Sequence, residues 1–254
     1  MGSPLTADIY YNTKIKTTVN IHDGNDCNFS WKENGFQIVP HKTNFSDWDN
    51  VDNYNQYYHE MIDLVREQTD AKLIMASTVV RRSPEWQSKN PLWGPLQLVH
   101  SDHGSGFKDY VFEYRKTRPE PDAYYGSGWE DIYKWCNRVV CFQIWRNLGP
   151  THVSYPIAFC DSKSIDKSQI FETVVDVQQS DERTHPLTLS RLKPIGSKHK
   201  WYWWDNLTDD KVILFRTYDS DIENYRAFHT AFEHPEPGRA DRSSVDLRVY
   251  CFYE

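Results

Sequence analysis

The chain has 254 residues, of which 39% are hydrophobic and 26% charged, and its formal net charge is −7 at pH 7. This balance predicts one soluble domain with a substantial core, and it argues against nucleic acid as a partner because phosphate binding needs a basic face. No apolar run approaches the length of a membrane span, so we expect no membrane association. The sequence leaves a homodimer open.

Cysteine and aromatic usage narrow the class of protein further. The five cysteines are odd in number and include no Cys-x-x-Cys pair, which is typical of reduced thiols in a cytoplasmic protein. The first residues show no charged-then-apolar signal pattern. Aromatic residues make up 15% of the chain, and such rings stiffen sheets and line small-molecule pockets. We therefore expect a cytoplasmic protein with a small-molecule ligand.

The first half of the chain mixes predicted strands with one clear helix. Short strands are predicted within residues 8–40, and a helix over residues 56–69, where apolar side chains recur at three- and four-residue spacings. Strands follow at residues 72–82 and 96–99. Residues 103–128 contain several glycines and two prolines, and these predict a mobile lid or insert rather than a regular core element.

Strands dominate the second half of the prediction. A second helix is predicted over residues 128–137, and turn formers separate the later elements. We interpret the whole chain, residues 1–254, as a single domain that is mainly β with flanking helices, a β-sandwich or distorted barrel. The later strands are predicted at residues 139–145, 156–160, 200–204, 212–217, 227–232 and 245–253.

A candidate metal site begins at His100-Ser101-Asp102. Alternate side chains of a strand share a face, so His100 and Asp102 are expected to project together. The best third ligand is His229, on a later predicted strand. Two histidines and one carboxylate are the ligand set of non-haem Fe(II) oxygenases. A chance His-x-Asp is nevertheless common, so this pair alone is weak evidence.

The last predicted strand offers groups that suit a carboxylate ligand. Arg242 follows His229 by thirteen residues, and Ser244 shares its face by strand alternation. An Arg supplies a two-pronged donor and a Ser a hydroxyl, which together can hold a carboxylate.

The order His-x-Asp, His, Arg-x-Ser is similar to that of the Fe(II)/2-oxoglutarate dioxygenase superfamily. Further motifs narrow the resemblance to the subgroup of the cephamycin methoxylase subunit, the gibberellin desaturases and the fungal hydroxylase/desaturase tailoring enzymes. The resemblance runs from about residue 35 to the C-terminus. Its further motifs are WRNLGP (145–150), PIAFCDS (156–162), WYW (201–203), FRTYDS (215–220), HTAF (229–232) and RSSVDLR (242–248).

The resemblance implies a double-stranded β-helix (jelly-roll or cupin-like) core and a role in natural product biosynthesis. It implies that His100, Asp102 and His229 bind Fe(II), and that Arg242 with Ser244 binds the cosubstrate 2-oxoglutarate. Arg248 belongs to the same motif and is an alternative for that role. The reaction would use O2 for hydroxylation, desaturation or oxidative cyclisation of a small molecule. Arg146 matches a further position of the subgroup and is, with Trp145, a candidate for the substrate pocket.

The sequence leaves three other classes of protein open. The same three ligands serve Fe-dependent oxidases that use no 2-oxoglutarate, and two histidines with a carboxylate also occur in cupin-like and zinc enzymes. A catalytically silent small-molecule-binding protein can share the fold, because fold does not determine function. The Arg-x-Ser motif favours the 2-oxoglutarate enzyme over all three. Trp145 is also a candidate for the hydrophobic core, because tryptophan side chains are highly buried on average.

Overall fold

The computed structural model describes residues 3–117, 121–178, 184–194, 198–222 and 226–254. Within these residues the helices are α1 (Asn55–Gln68), α2 (Pro84–Lys89), α3 (Phe107–Thr117) and α4 (Ile132–Trp135). The strands are β1 (Leu5–Tyr10), β2 (Lys16–Asp23), β3 (Phe36–Pro40), β4 (Leu73–Arg82), β5 (Ala123–Tyr125), β6 (Arg138–Asn147), β7 (Ile157–Cys160), β8 (Ile170–Gln178), β9 (Thr184–Leu192), β10 (Trp201–Trp203), β11 (Lys211–Asp219), β12 (Phe228–Ala231) and β13 (Ser244–Tyr253).

Most strands belong to two sheets. The larger sheet has the order β3–β11–β6–β13–β4–β5, and the smaller has the order β1–β2–β10–β7–β12. Among the described strands, β2 and β10 pair in parallel, and the other pairs are antiparallel. The two sheets face each other, since inward side chains of both line one cavity. This mainly β architecture agrees with the predicted jelly-roll core.

Strand alternation assigns each residue of the central strands to the cavity or to the outer core. On β13, Asp246 turns toward the cavity, while Val245 and Leu247 pack in an outer core. That core also contains α1, which buries Tyr57 and Met61 at the three- and four-residue spacing that predicted this helix. The prediction of a helix over residues 56–69 is therefore confirmed.

The segment 103–128 differs from the expected irregular excursion, because α3 and β5 lie within it. Phe107 and Val111, one helical turn apart, are buried in a cluster with α4, and β5 pairs with β4. Glycines before α3 and prolines after it obscured its periodicity in the sequence. Of this segment, residues 118–120 lie outside the described residues.

Two other elements also differ from expectation. The predicted second helix is limited to α4, and residues 96–99 form no regular strand, although His100 makes an isolated bridge to His229. The hairpin of β8 and β9 was not predicted. No helix in the described part of the chain is long and apolar enough to cross a lipid bilayer.

Candidate metal centre

The three ligand candidates converge at one point between the sheets. His100 and His229 lie opposite each other in an antiparallel bridge, with backbone N–H···O distances of 3.1 and 3.0 Å. Their ring centroids are 4.4 Å apart, and Oδ1 of Asp102 lies 3.1 Å from Nε2 of His100. One ligand atom of each residue falls within 4.8 Å of the others, and all three residues are buried. Backbone pairing thus overcomes their separation of more than a hundred residues.

The Nδ1 atoms of both imidazoles face backbone carbonyls. Nδ1 of His100 donates to the Leu98 carbonyl at 2.5 Å, and Nδ1 of His229 faces the Ala227 carbonyl at 3.5 Å. A protonated Nδ1 leaves Nε2 with its lone pair free for a metal. Burial and the neighbouring His100 lower the pKa of His229 to about 3, so this imidazole is neutral at pH 7.

Asp102 is ionised despite its burial. Its Oδ2 accepts a hydrogen bond from Nη2 of Arg248 at 3.0 Å and another from Nε2 of Gln143. Burial disfavours the carboxylate, but the Arg248 guanidinium outweighs it and holds the pKa of Asp102 well below its usual range. A carboxylate and two imidazole nitrogens form a donor set that fits Fe(II).

The adjacent residue His103 is not a member of this group. Its Nδ1 lies 2.8 Å from the Thr217 hydroxyl, and its ring contacts Phe107 at 3.9 Å between centroids. This histidine therefore belongs to the packing around α3.

The three residues open onto a cavity that also holds a poorly paired cation. Arg242 is 6% exposed, donates through Nη1 to the Tyr155 carbonyl at 3.1 Å, and has no hydrogen-bond partner for Nε. Burial and the charge of Arg82 lower the pKa of Arg242 to about 9. Buried donors are rarely left unpaired, so this guanidinium suits an anionic ligand. The residues lining the cavity are Arg82, Leu96, His100, Asp102, Gln143, Trp145, Ile157, Phe215, His229, Ala231, Arg242 and Asp246.

Ser244 and Arg248 differ from Arg242 in their relation to the cavity. Ser244 is fully buried, and its hydroxyl has no hydrogen-bond partner, but it is not among the residues lining the cavity. Arg248 is committed to Asp102 through the 3.0 Å contact. Of the two arginines in the motif, Arg242 is therefore the one with unused donors on the cavity.

The structure adds residues that the sequence analysis did not select. Nε of Arg82 donates to Oδ2 of Asp246 at 2.6 Å, and Nη1 donates to the carbonyls of Leu92 and Gly94 at 2.9 Å each. The side chains of Arg82 and Gln143 both line the cavity. Both are placed by the cross-strand register of β4, β6 and β13, which the sequence does not reveal.

Trp145 and Arg146 face opposite sides of β6. Trp145 lines the cavity, and its buried indole N–H has no hydrogen-bond partner. The expectation that Arg146 lies in the pocket is wrong, because neighbouring residues of a strand face opposite sides. Arg146 is fully buried on the outer side of β6, where it donates to the Tyr57 hydroxyl at 3.2 Å and to the carbonyls of His41 and Asp209.

A substitution tests this structural role of Arg146. We expect Arg146→Met to lower the free energy of unfolding by about 3 kcal/mol, since each buried acceptor left unpaired costs ~1–3 kcal/mol. Iron content per folded chain should stay at the wild-type value. Chemical denaturation and metal analysis give the two quantities, and a stable variant that had lost its iron would place Arg146 back in the pocket.

Known proteins resemble this chain over most of its length. The profile of the family described as "YDMC: Oxidoreductase/YMDC permease-like domain" matches residues 6–252. The chain is 26% identical to the hydroxylase/desaturase efuI of Hormonema carpetanum, over 96% of this chain and 85% of the relative. It is 26% identical to the Fe(II)/2-oxoglutarate-dependent dioxygenase nvfI of Aspergillus novofumigatus, over 77% of this chain and 66% of the relative.

A solved structure confirms the fold. The iron and alpha-ketoglutarate-dependent endoperoxidase NvfI superposes with a TM-score of 0.74 at 20% identity, over 98% of this chain and 96% of that chain. The predicted jelly-roll fold class is thereby confirmed. The resemblance to fungal hydroxylase/desaturase tailoring enzymes, predicted from the sequence motifs, is confirmed by the curated relatives.

Proposed function

Because this chain belongs to the YDMC oxidoreductase/YMDC permease-like domain family, we propose that it is an Fe(II)- and 2-oxoglutarate-dependent oxygenase. Its substrate is a small molecule, and the reaction is hydroxylation, desaturation or oxidative cyclisation at a C–H bond in secondary-metabolite biosynthesis. One observation carries the proposal. The buried group of His100, Asp102 and His229 opens onto the same cavity as a guanidinium with unused donors, that of Arg242.

We assign iron binding to Nε2 of His100, Nε2 of His229 and Oδ1 of Asp102. This assignment is supported by the neutral imidazole of His229, the ionised carboxylate of Asp102 and the burial of all three residues. When bound, Fe(II) with 2-oxoglutarate and O2 supplies the oxidation of an unactivated C–H bond. The chain itself orients the reactants and excludes water from them.

We assign the distal carboxylate of 2-oxoglutarate to Arg242, with the Ser244 hydroxyl assisting. An anion bound to Nε would give Arg242 the partner that it lacks in the protein. Arg248 already pairs with Asp102, so we do not assign it to the cosubstrate. Trp145 is assigned to the substrate pocket, where its free indole N–H can donate to an oxygen of the bound molecule.

Succinate formation distinguishes this function from the alternatives. Purified chain supplied with Fe(II), 2-oxoglutarate and O2 should release succinate in proportion to the O2 consumed, and Asp102→Ala should not exceed the protein-free background. O2 consumption without succinate would identify an oxidase that does not use 2-oxoglutarate. Neither reaction, together with binding of an organic ligand, would identify a silent binding protein.

We keep segment 103–128 as the candidate lid of a single domain. It directly follows two of the assigned iron ligands, and a β-carbon placed at Gly106 would contact no other described atom. Peptides from α3 should therefore exchange backbone hydrogens faster than peptides from the central strand β6. Hydrogen–deuterium exchange measures both, and equal protection of the two elements would contradict a lid.

We propose a cytoplasmic enzyme that binds no nucleic acid, in line with its net charge of −7 and its five free cysteines. A homodimer is compatible with the exposed Tyr124 and Tyr125 on edge strand β5. Light scattering after gel filtration tests the dimer, and a monomer mass at micromolar concentration would exclude a stable one.

A further inference from the structure

Asp102 uses its two carboxylate oxygens differently. Oδ2 accepts hydrogen bonds from Arg248 and Gln143, whereas Oδ1 lies 3.1 Å from Nε2 of His100. We propose that Gln143 and Arg248 are positioning residues, which hold Oδ2 so that Asp102 binds the metal through Oδ1 alone. This inference rests on the metal site proposed above.

Both donors belong to the most regular part of the fold. Gln143 on β6 and Arg248 on β13 lie directly opposite each other in an antiparallel ladder that runs from residue 138 to residue 147 of β6. Alternation turns both toward the space between the sheets. Asp102, in contrast, lies in a loop between the bridge at Ser101 and helix α3. Residues on regular strands therefore hold a metal ligand that lies in a loop, and residues that hydrogen-bond to metal ligands commonly have this role.

The number of bound oxygens has a chemical consequence. A carboxylate that binds through both oxygens occupies two coordination positions, and one that binds through a single oxygen occupies one. Two histidines and a one-oxygen carboxylate leave about three positions of a six-coordinate ion open. The cosubstrate needs two of them and O2 needs the third. Hydrogen bonds at Oδ2 therefore protect the position that O2 requires.

Replacing the two donors one at a time distinguishes the effect of a lost hydrogen bond from the effect of a lost charge. Gln143 is neutral and 2% exposed, so its replacement changes a hydrogen bond without changing the charge of the site. Arg248 is cationic, and its replacement also removes a positive charge that repels a metal ion. Gln143→Met is therefore the decisive variant, and Arg248→Met and Arg248→Lys complement it.

The experiment uses Mn(II) as the probe in the full chain without 2-oxoglutarate. Mn(II)-bound waters accelerate the relaxation of bulk water protons, so relaxivity reports how many waters the ion carries, and titration gives its Kd. In Gln143→Met we expect the bound waters to fall from about three toward two, as Asp102 becomes free to bind through both oxygens. We expect the Kd for Mn(II) to rise by about 10-fold, because replacing residues that hydrogen-bond to metal ligands typically weakens metal binding by that factor or more.

Arg248→Met should show the same loss of bound water, and Arg248→Lys should restore the wild-type relaxivity in part. Arg138→Met is the matched control. Arg138 lies on β6 and donates to buried Asp219 at 2.9 and 2.7 Å, and its side chain is 29% exposed against 25% for Arg248. The Arg138→Met substitution breaks a comparable ion pair away from the metal site, so the relaxivity and the Kd for Mn(II) should keep their wild-type values.

Wild-type Kd and relaxivity in Gln143→Met and Arg248→Met would overturn the positioning role while leaving the metal site in place. Equal changes in Arg138→Met would also overturn it, since the effect would then come from general destabilisation. If the wild-type chain binds no Mn(II) and no Fe(II), the proposed function itself fails, and the inference fails with it.

Discussion

His229→Ala should fold normally and retain no iron. The substitution removes one of three assigned ligands and leaves His100 and Asp102 to hold the ion alone. Because partners of metal ligands are themselves worth about 10- to 100-fold in affinity, loss of a direct ligand should exceed that range. After anaerobic loading and desalting, iron content should fall from about one per chain to near zero, and succinate formation should fall with it.

A second buried histidine provides the control for this experiment. His199 is 6% exposed and hydrogen-bonds Tyr11 and Gln169 at 2.7 and 2.8 Å, away from the residues that line the cavity. His199→Ala should therefore lower thermal stability and keep wild-type iron content. If His229→Ala retained one iron per chain with wild-type affinity, the third ligand would have to be another residue.

Arg242→Met should raise the apparent KM for 2-oxoglutarate by about a hundredfold or more. Breaking a buried ion pair by removing one partner costs ~3–5 kcal/mol, and each ~1.4 kcal/mol corresponds to a factor of ten. Iron binding should be spared, because Arg242 contacts none of the three assigned ligands through a hydrogen bond. Rates of succinate formation against 2-oxoglutarate concentration give the KM, and metal analysis gives the iron content.

Arg248→Met is the comparison variant for Arg242. It should change the metal site through Asp102 while leaving the 2-oxoglutarate KM within a fewfold of the wild-type value. The opposite pattern, with the KM raised in Arg248→Met and unchanged in Arg242→Met, would exchange the roles of the two arginines. If neither variant altered the KM, the chain would not bind 2-oxoglutarate through this motif.

The ligand candidates could be found from the sequence because their chemistry is local or strongly patterned. His100 and Asp102 share a face through their spacing alone, and His229 precedes the Arg-x-Ser motif in the order that the superfamily shows. Which arginine faces the cosubstrate could not be found. Arg242 and Arg248 have the same residue type and the same parity in sequence. Their contacts separate them, because Arg248 pairs with Asp102 at 3.0 Å whereas Arg242 lines the cavity with its Nε unpaired.

Other features depend on register, which a single sequence does not encode. Gln143 reaches Asp102 because β6 and β13 pair with residue 143 opposite residue 248. The hairpin of β8 and β9 was missed because apolar residues on both faces of β8 interrupt its alternation. Arg146 is a different case. Strand alternation turns Trp145 inward and Arg146 outward, so the two neighbours that the family resemblance assigned to the pocket cannot both face it.

The most direct test of the proposed active site is the position of iron in a crystal grown anaerobically with Fe(II) and 2-oxoglutarate. Anomalous diffraction at the iron absorption edge should give one strong peak, at ~2.0–2.2 Å from Nε2 of His100, Nε2 of His229 and Oδ1 of Asp102. The distal carboxylate of 2-oxoglutarate should contact Arg242. No peak between these three residues, or an iron bound elsewhere on the chain, would contradict the proposed active site.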